Sequence, residues 1–252
     1  MAALSDTRVL VTGGTSGLGR AMAEALVQAG ARVALTGRDQ ERADAVAAEL
    51  GAGALAIALD VRDTASVSAA VDHAWGRLGG IDVLVNNAGI GMRTVNPRFM
   101  TEPQPFWEVS PAGFRDVIET KLTGSFLVAR AVVPRMISTG AGRVVTISMN
   151  EQTMVRPGFV PYGPSGAAIE ALARVMAADL TGTPVTANIL LPGGATRTGM
   201  TPVQELSDAV SSRLLDPSVM GPAIVWLASS QADGVHDQRI VATEFAEWVK
   251  HR

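Results

Sequence analysis

The sequence predicts an α/β fold in which helices cover both faces of a parallel sheet of about seven strands. Short β-branched runs alternate along the chain with longer amphipathic patterns, and this order is typical of parallel strands joined by crossover helices. Hydrophobic residues make up 47% of the chain and aromatic residues 4%, so we expect an aliphatic core. A glycine-rich segment directly follows the first apolar run.

The individual elements follow from local patterns. The first helix carries Leu18, Met22, Leu26 and Ala29 at a spacing of three to four residues and stops at Gly30, a residue suited to a left-handed C-cap. Further helices are predicted at 39–50, 63–78, 112–138 and 161–181. The predicted strands are Arg8–Thr12, Arg32–Thr36, Ala54–Leu59, Val83–Asn86, Arg143–Met149, Val185–Leu191 and Arg239–Ala242.

Length and charge limit the possible functions. The chain has 252 residues and no linker-like segment divides it, so we expect 1–252 to form a single domain. The formal net charge is −3 and the 21 lysines and arginines are scattered, which argues against nucleic acid as a partner. No apolar run reaches the roughly 18 residues of a membrane span and no secretion signal is recognisable. We therefore expect no membrane partner and a cytoplasmic location.

The chain offers few metal ligands. It has no cysteine, so thiolate sites and disulfides are impossible. The three histidines, His73, His236 and His251, lie far apart without the paired spacing of metal ligands. We therefore predict no metal site.

The segment from Thr12 to Gly19 reads TGGTSGLG and directly follows the first predicted strand. Glycines without a Cβ let backbone amides approach a pyrophosphate, and the helix that follows offers unpaired N–H groups to the anion. The segment therefore predicts a dinucleotide site. Its candidate cofactor-binding residues are Gly13, Thr15, Ser16, Gly17, Leu18 and Gly19.

Arg38 follows the second predicted strand, where a dinucleotide fold would place an acidic residue on the ribose 2′-hydroxyl. A guanidinium suits a 2′-phosphate instead, because it forms charge-assisted, bidentate hydrogen bonds to phosphate. We therefore favour NADP(H) over NAD(H) as the cofactor. The alternative is that Arg38 is only a solvated residue at the start of a helix.

With these residues and three further motifs, the chain resembles the short-chain dehydrogenase/reductase family over nearly its whole length. Leu59-Asp60-Val61 is similar to the family's adenine-contacting segment, Asn86-Asn87-Ala88-Gly89 to its NNAG strand end, and Pro192-Gly193 to its nicotinamide-side loop. The resemblance implies a Rossmann-like doubly wound sheet and a homodimer or homotetramer. The cofactor-binding residues that it implies are Asp60, Val61, Asn87, Ala88, Gly89, Tyr162, Pro192, Gly193 and Thr196, with Thr198 as the alternative to Thr196.

The catalytic residues of the family are only partly present. The resemblance implies a Tyr, a Lys four residues later, a Ser about thirteen residues earlier and an Asn on the preceding long helix. Tyr162 matches the Tyr, but Gly166 stands where the Lys is expected and Lys121 where the Asn is expected. The Ser position falls on Met149, with Ser148 beside it. The candidate catalytic residues are Tyr162, Ser148 and Lys121.

These departures change the expected chemistry. Without a nearby ammonium the pKa of Tyr162 should return toward about 10, which weakens base catalysis but affects carbonyl reduction less, because reduction uses protonated Tyr. Strand side chains alternate between faces, so Ser148 should point away from the site that Met149 faces. Gly166 either lets a ligand approach the backbone closely or is an introduced knockout.

Lys121 allows two interpretations. Its long side chain could return an ammonium to Tyr162 or to the cofactor ribose from the neighbouring helix. Alternatively, Lys121 pairs with an acidic neighbour such as Glu119 or Glu151, or extends to solvent. Glu151 is a candidate substitute acid or base, or else a solvated loop carboxylate.

The leading hypothesis is an NADP(H)-dependent oxidoreductase that acts on a carbonyl or secondary alcohol of a moderately hydrophobic small molecule. One alternative is a redox-neutral dehydratase, isomerase or cyclase on the same scaffold. Another is a catalytically silent nucleotide-binding subunit. Segments 91–111 and 192–220 are predicted to form an apolar substrate wall, or, for 91–111, a surface loop pinned by aromatics. Its apolar residues are Met92, Phe99, Met100, Phe106, Trp107 and Met200.

Overall fold

The computed structural model describes residues 4–252 except 202, 203 and 205. Seven strands form one sheet in the order β3-β2-β1-β4-β5-β6-β7, and every pairing is parallel. The predicted Rossmann-like sheet is therefore confirmed. The strands are β1 (Arg8–Val11), β2 (Arg32–Gly37), β3 (Ala54–Ala58), β4 (Val83–Asn86), β5 (Gly142–Ile147), β6 (Val185–Leu191) and β7 (Arg239–Val241).

Helices connect the strands and lie on both sides of the sheet. Each connection crosses from the carboxyl end of one strand to the start of the next, so the loops after the strands gather at one edge. The α-helices are α1 (Gly17–Gln28), α2 (Gln40–Leu50), α3 (Thr64–Leu78), α4 (Pro111–Ile118), α5 (Gly124–Thr139), α6 (Glu151–Met154), α7 (Tyr162–Leu180), α8 (Asp208–Ser211), α9 (Gly221–Ala228) and α10 (Phe245–Lys250).

The alternation of side chains along β1 divides the core into two layers. Val9 and Val11 pack with α1 residues such as Met22 and Leu26 on one face. Leu10, between them, packs on the opposite face with α5 residues such as Val128. Successive strand residues point to opposite faces, so a strand that is apolar throughout requires helices on both sides. None of the described helices has the length and apolar character needed to cross a membrane.

The long helix predicted at 112–138 is divided by a π-helical turn at Glu119–Thr123. The Gly124 N–H donates to the Glu119 carbonyl, five residues earlier. The Ser125 hydroxyl donates to the Lys121 carbonyl over 2.7 Å. Such turns occur mostly as single insertions in α-helices and often at functional sites. The turn carries Lys121, which is 8% exposed.

Four strands end earlier than the sequence predicts, and two of them, β3 and β7, end one residue early at Ala58 and Val241. β1 ends at Val11 rather than Thr12, because the chain turns at Gly13, whose φ is +66°. β5 ends at Ile147 rather than Met149. Ser148 and Met149 therefore lie in the loop that enters the ligand side of the sheet.

Candidate active site

One cavity of about 1120 Å³ opens at the carboxyl ends of the strands. It extends from the loop after β2, past the glycine turn, to the start of α7. This is the position at which open α/β sheets bind their ligands. Of the predicted catalytic and cofactor residues, these line the cavity: Gly13, Thr15, Ser16, Gly17, Leu18, Gly19, Arg38, Asp60, Val61, Asn87, Ala88, Gly89, Lys121, Ser148, Tyr162, Pro192 and Thr196.

The glycine turn leaves room for a ligand but not for side chains. A Cβ on Gly19 would overlap with the Gly13 carbonyl and the Asn87 amide. Ser16 precedes α1 without a side-chain hydrogen bond to the helix, so the first backbone N–H groups of α1 have no side-chain cap. Unpaired amides at a helix N-terminus attract anions, and the turn therefore fits a pyrophosphate.

Thr12 and Asn87 hold this turn against β4. The Thr12 hydroxyl accepts hydrogen bonds from the backbone N–H groups of Asn87 and Ala88, each over 3.0 Å. The Asn87 side-chain amide donates to the carbonyls of Thr12 at 2.9 Å and Gly13 at 3.1 Å. Two motifs that are 75 residues apart in sequence are thus fixed to each other before any ligand binds.

Two arginines lie at the far end of the cavity. Arg38 and Arg42 are exposed residues at and after the end of β2, and both line the cavity. Asp60 lines the same end but is already paired, because Arg62 donates to its carboxylate over 2.7 and 3.0 Å. These hydrogen bonds lower the pKa of Asp60 to about 2. Its negative charge is therefore balanced within the protein.

Gly193 is the one predicted cofactor residue that does not line the cavity. A Cβ at this position would overlap with the Thr243 hydroxyl, and φ is +96°. The Gly193 carbonyl accepts a hydrogen bond of 3.0 Å from the Asn150 side chain. Gly193 thus lets the loop after β6 pack against residue 243, and its neighbours Pro192 and Gly194 line the cavity instead.

Tyr162 and Lys121 meet at the other end of the cavity. Tyr162 is the first residue of α7 and the only tyrosine of the chain. The Lys121 Nζ lies 4.6 Å from the centroid of the Tyr162 ring, within the range of a cation–π interaction. The structure thus brings together the two residues that the relocation hypothesis pairs.

The other interpretation of Lys121 is wrong in its two named partners and in its solvent position, although Glu170 is an acidic group near enough to act on Lys121. Neither Glu119 nor Glu151 forms an ion pair with it among the described residues, and the side chain does not extend to solvent. The π-helical turn directs Lys121 toward α7 rather than outward. Glu151 is exposed at the start of α6 and lies outside the cavity lining, which agrees with a solvated carboxylate.

Burial controls the protonation of both groups. Loss of hydration lowers the pKa of Lys121 from 10.5 to about 7, and the negative charge of Glu170 opposes this shift. Burial also raises the pKa of Tyr162 above its usual value of 10.0. Removal from water disfavours the charged form of each group. Tyr162 is therefore a protonated phenol near neutral pH.

Glu170 belongs to a partly buried network that the sequence did not reveal. Its carboxylate accepts a hydrogen bond from the Ser148 hydroxyl over 2.6 Å and is paired with Arg239 of β7 at 3.1 Å. Arg239 also donates to the Met149 carbonyl over 3.1 Å. The Ser148 hydroxyl proton is therefore used in the hydrogen bond to Glu170. The three side chains are 22 and 69 residues apart in sequence, so no local pattern could identify the network.

The Met149 side chain fills the space that the absence of a side chain at Gly166 leaves open. A Cβ on Gly166 would lie 2.7 Å from the Met149 Sδ and Cε atoms. Met149 is 6% exposed. The Met149 side chain therefore occupies the space beside Gly166, and no ligand has room to approach the backbone there. Met149 and Gly166 occupy the positions where the family resemblance implies Ser and Lys, and they pack together as an apolar pair.

The remaining part of the cavity contains an apolar cluster. Met92, Phe99 and Phe159 form a buried cluster, in which the two phenyl rings meet edge to face with centroids 5.5 Å apart. Met100, Met149 and Met200 complete the lining. The predicted substrate wall is wrong at two positions, since Phe106 and Trp107 are 68% and 72% exposed and point away from the cavity. In segment 192–220, residues 202, 203 and 205 lie outside the described residues.

Comparisons with known proteins agree with this arrangement. The family described as short chain dehydrogenase matches residues 7–208. The 3-oxoacyl-acyl-carrier-protein reductase FabG of Vibrio harveyi is 33% identical over 230 residues, covering 88% of this chain and 90% of the relative. The 1-deoxy-11-beta-hydroxypentalenate dehydrogenase of Streptomyces avermitilis is 38% identical over 195 residues, covering 75% and 69%.

A solved structure shows the same fold. The 3-ketoacyl-(acyl-carrier-protein) reductase from Brucella melitensis, complexed with NADH, superimposes with a TM-score of 0.83 at 28% identity. The superposition covers 94% of this chain and 97% of that one.

Replacing Gly166 with Lys tests the packing of the apolar pair. Because the new Cβ would displace Met149, we expect Gly166→Lys to lower the free energy of unfolding by about 1–3 kcal/mol in urea denaturation. Adding Met149→Ser should recover part of this loss, since it removes the obstructing atoms. The control is Gly76→Lys on α3, where nothing lies within 4 Å. Equal stability of the two single variants would contradict the packing.

Replacing Lys121 with Met tests its buried charge. Between pH 7 and the ordinary lysine pKa of 10.5, the unfolded chain binds a proton that the folded protein does not. The free energy of unfolding therefore rises with pH in this window, by about 1.4 kcal/mol per unit of pKa shift. We expect urea unfolding of Lys121→Met to lack this rise.

The exposed Lys250, paired with Glu247 at 2.7 Å, provides the control. Lys250→Met should keep the pH dependence of the native protein. Parallel stability curves for the native protein and Lys121→Met would show that Lys121 has an ordinary pKa.

Proposed function

Because the chain belongs to the short-chain dehydrogenase/reductase family, we propose that it reduces a carbonyl group with NADP(H), using Tyr162 as proton donor and Lys121 as the neighbouring cation. Membership of the family makes the chain an oxidoreductase of carbonyls or alcohols that uses a nicotinamide cofactor. The contact between Tyr162 and Lys121 inside the ligand cavity supports the proposal most strongly.

The cavity has suitable residues for every part of NADP(H). The glycine turn and the N-terminus of α1 would bind the pyrophosphate, and Asp60 and Val61 would border the adenine. Arg38 and Arg42 would bind the 2′-phosphate, for which guanidinium groups are well suited. Pro192, Thr196 and Tyr162 would lie around the nicotinamide ribose. When bound, the cofactor supplies the hydride.

Tyr162 supplies the proton. Burial raises its pKa, so the phenol holds its proton at neutral pH and can donate it to a carbonyl oxygen that becomes an alkoxide. A general acid positioned in this way accelerates a reaction by about 10²–10⁴-fold. The raised pKa favours reduction over oxidation, because oxidation would require the tyrosinate as base.

Lys121 supplies the positive charge that Gly166 lacks. A buried ammonium stabilises negative charge on the phenol oxygen or on the substrate oxygen more strongly than an ammonium in bulk water does. The opposing effects of burial and Glu170 hold the pKa of Lys121 at about 7. The ammonium is thus about half populated near pH 7 and predominates below it, and an anionic ligand nearby would favour it further.

Three further assignments accompany the proposal. We propose that 1–252 act as one dinucleotide-binding domain, that the protein is a homodimer or homotetramer, and that it works in the cytoplasm on a small molecule. Sedimentation of the purified protein would measure the oligomeric state.

Replacing Arg38 with Asp tests the cofactor preference. Hydrogen bonds to charged groups contribute about 1.5–3 kcal/mol, so we expect the native protein to bind NADPH at least about tenfold more tightly than NADH. Arg38→Asp should remove this preference in fluorescence titrations and leave NADH binding intact. Arg77→Asp, at the exposed end of α3, should not alter it. Equal native affinities for the two cofactors would contradict the assignment.

The reaction itself is tested with Tyr162→Phe and Lys121→Met, assayed by NADPH oxidation with a panel of neutral ketones. Each variant should lose at least about 10²-fold in kcat, while the Kd for NADPH changes much less. An unchanged rate for Lys121→Met would overturn its role.

Other outcomes would select the other functions. Native protein that binds NADPH but oxidises none with any ketone would indicate a silent subunit. A change of substrate mass without a change of the cofactor would indicate a redox-neutral enzyme.

A further inference from the structure

Arg156 lies at the mouth of the cavity, at the end opposite Arg38. It follows α6 in the chain, is exposed, and lines the cavity. Its guanidinium carbon lies over the Phe159 ring, 4.6 Å from the ring centroid. A stacked guanidinium keeps the N–H groups at its edge available and is already oriented for a carboxylate. Among the described residues it forms no ion pair.

Charge is distributed unevenly along the cavity. Asp39 and Asp60 are the carboxylates among its described lining residues, and both lie beside Arg38 at the adenine end. The substrate end contains the cations Lys121 and Arg156 and, in the described lining, no carboxylate. Low-dielectric walls concentrate such a field. This end of the cavity therefore favours a negatively charged ligand.

Between the two cations lies an apolar cluster, and Thr101, Asn150 and Thr153 also line this part of the cavity. Phe159 contacts Arg156. It also belongs to the buried cluster with Met92 and Phe99. Tyr162 packs against the same cluster. A ligand that extends from Tyr162 to Arg156 would thus meet a phenol, an apolar surface and a guanidinium in that order.

We propose that the substrate is an amphipathic carbonyl compound with a carboxylate at its far end, which Arg156 binds at the mouth of the cavity. The apolar body lies against the cluster of Met92, Phe99 and Phe159, and the carbonyl lies at Tyr162. This inference rests on the proposed function for the carbonyl, but the anion site at Arg156 is independent of turnover.

The site is tested by isothermal titration calorimetry of octanoate and octanamide, with the protein saturated with NADPH. The two probes share an apolar chain and differ in charge. Octanoate should bind the native protein more tightly than octanamide. Arg156→Gln should weaken octanoate binding about tenfold and leave octanamide unchanged, because a charge-assisted hydrogen bond is lost. Arg156→Lys should recover part of the affinity.

Arg98→Gln is the matched control. Arg98 is another exposed arginine near this end of the fold, paired with Glu102 over 2.8 Å, and it does not line the cavity. It should leave binding of both probes unchanged. Equal affinities of octanoate and octanamide, an equal loss in Arg98→Gln, or absence of octanoate binding would overturn the inference. If octanoate binding were weakened in Lys121→Met but not in Arg156→Gln, the carboxylate would lie at the inner end of the cavity, and the inference would also be overturned.

The experiment separates the two proposals. If octanoate depends on Arg156 but no ketone oxidises NADPH, the anion site stands and the carbonyl reductase fails. If neutral ketones are reduced but octanoate binds no better than octanamide, the reductase stands and the anion site fails. Reduction of 7-oxooctanoate and its methyl ester provides a second readout, in which Arg156→Gln should raise the KM of the acid alone.

Discussion

The contact between the buried Lys121 and the chain's only tyrosine is the interaction on which the candidate active site depends. Lys121 and Tyr162 are in contact within one cavity, and burial disfavours the charged form of each group. Glu170 partly offsets this for Lys121, and Arg239 and Ser148 hold Glu170 in position. The ion pair between Arg239 and Glu170 therefore influences the charge of Lys121.

The departures from the family pattern are coupled in space. Met149 fills the volume beside Gly166, so the position that the resemblance assigns to lysine has become apolar. The cation arises instead from the π-helical turn on the neighbouring helix, within 4.6 Å of the same ring. Gly166 lacks the charge, Met149 fills the space beside it, and Lys121 brings an amine to the Tyr162 ring from the neighbouring helix.

Much of the fold and of the nucleotide cradle could be predicted, because they depend on local patterns. Apolar runs, glycine spacing and helix periodicity specified the seven strands and the turn at Gly13. The Lys121 contact was only one of two predicted alternatives, since a helical pattern does not reveal a π-helical insertion. Glu170 and Arg239 were missed because their pairing joins α7 to β7, and the outward direction of Phe106 and Trp107 depends on loop packing.

The most direct measurement of the central claim is an NMR titration of protein labelled with ¹³C at the lysine side chains. The chain has two lysines, Lys121 and Lys250, so each signal can be assigned with a single substitution. One signal, lost in Lys121→Met, should titrate near pH 7 and shift to higher pH when NADPH binds. Two lysines that both titrate near their ordinary pKa and do not respond to NADPH would contradict a buried, relocated cation.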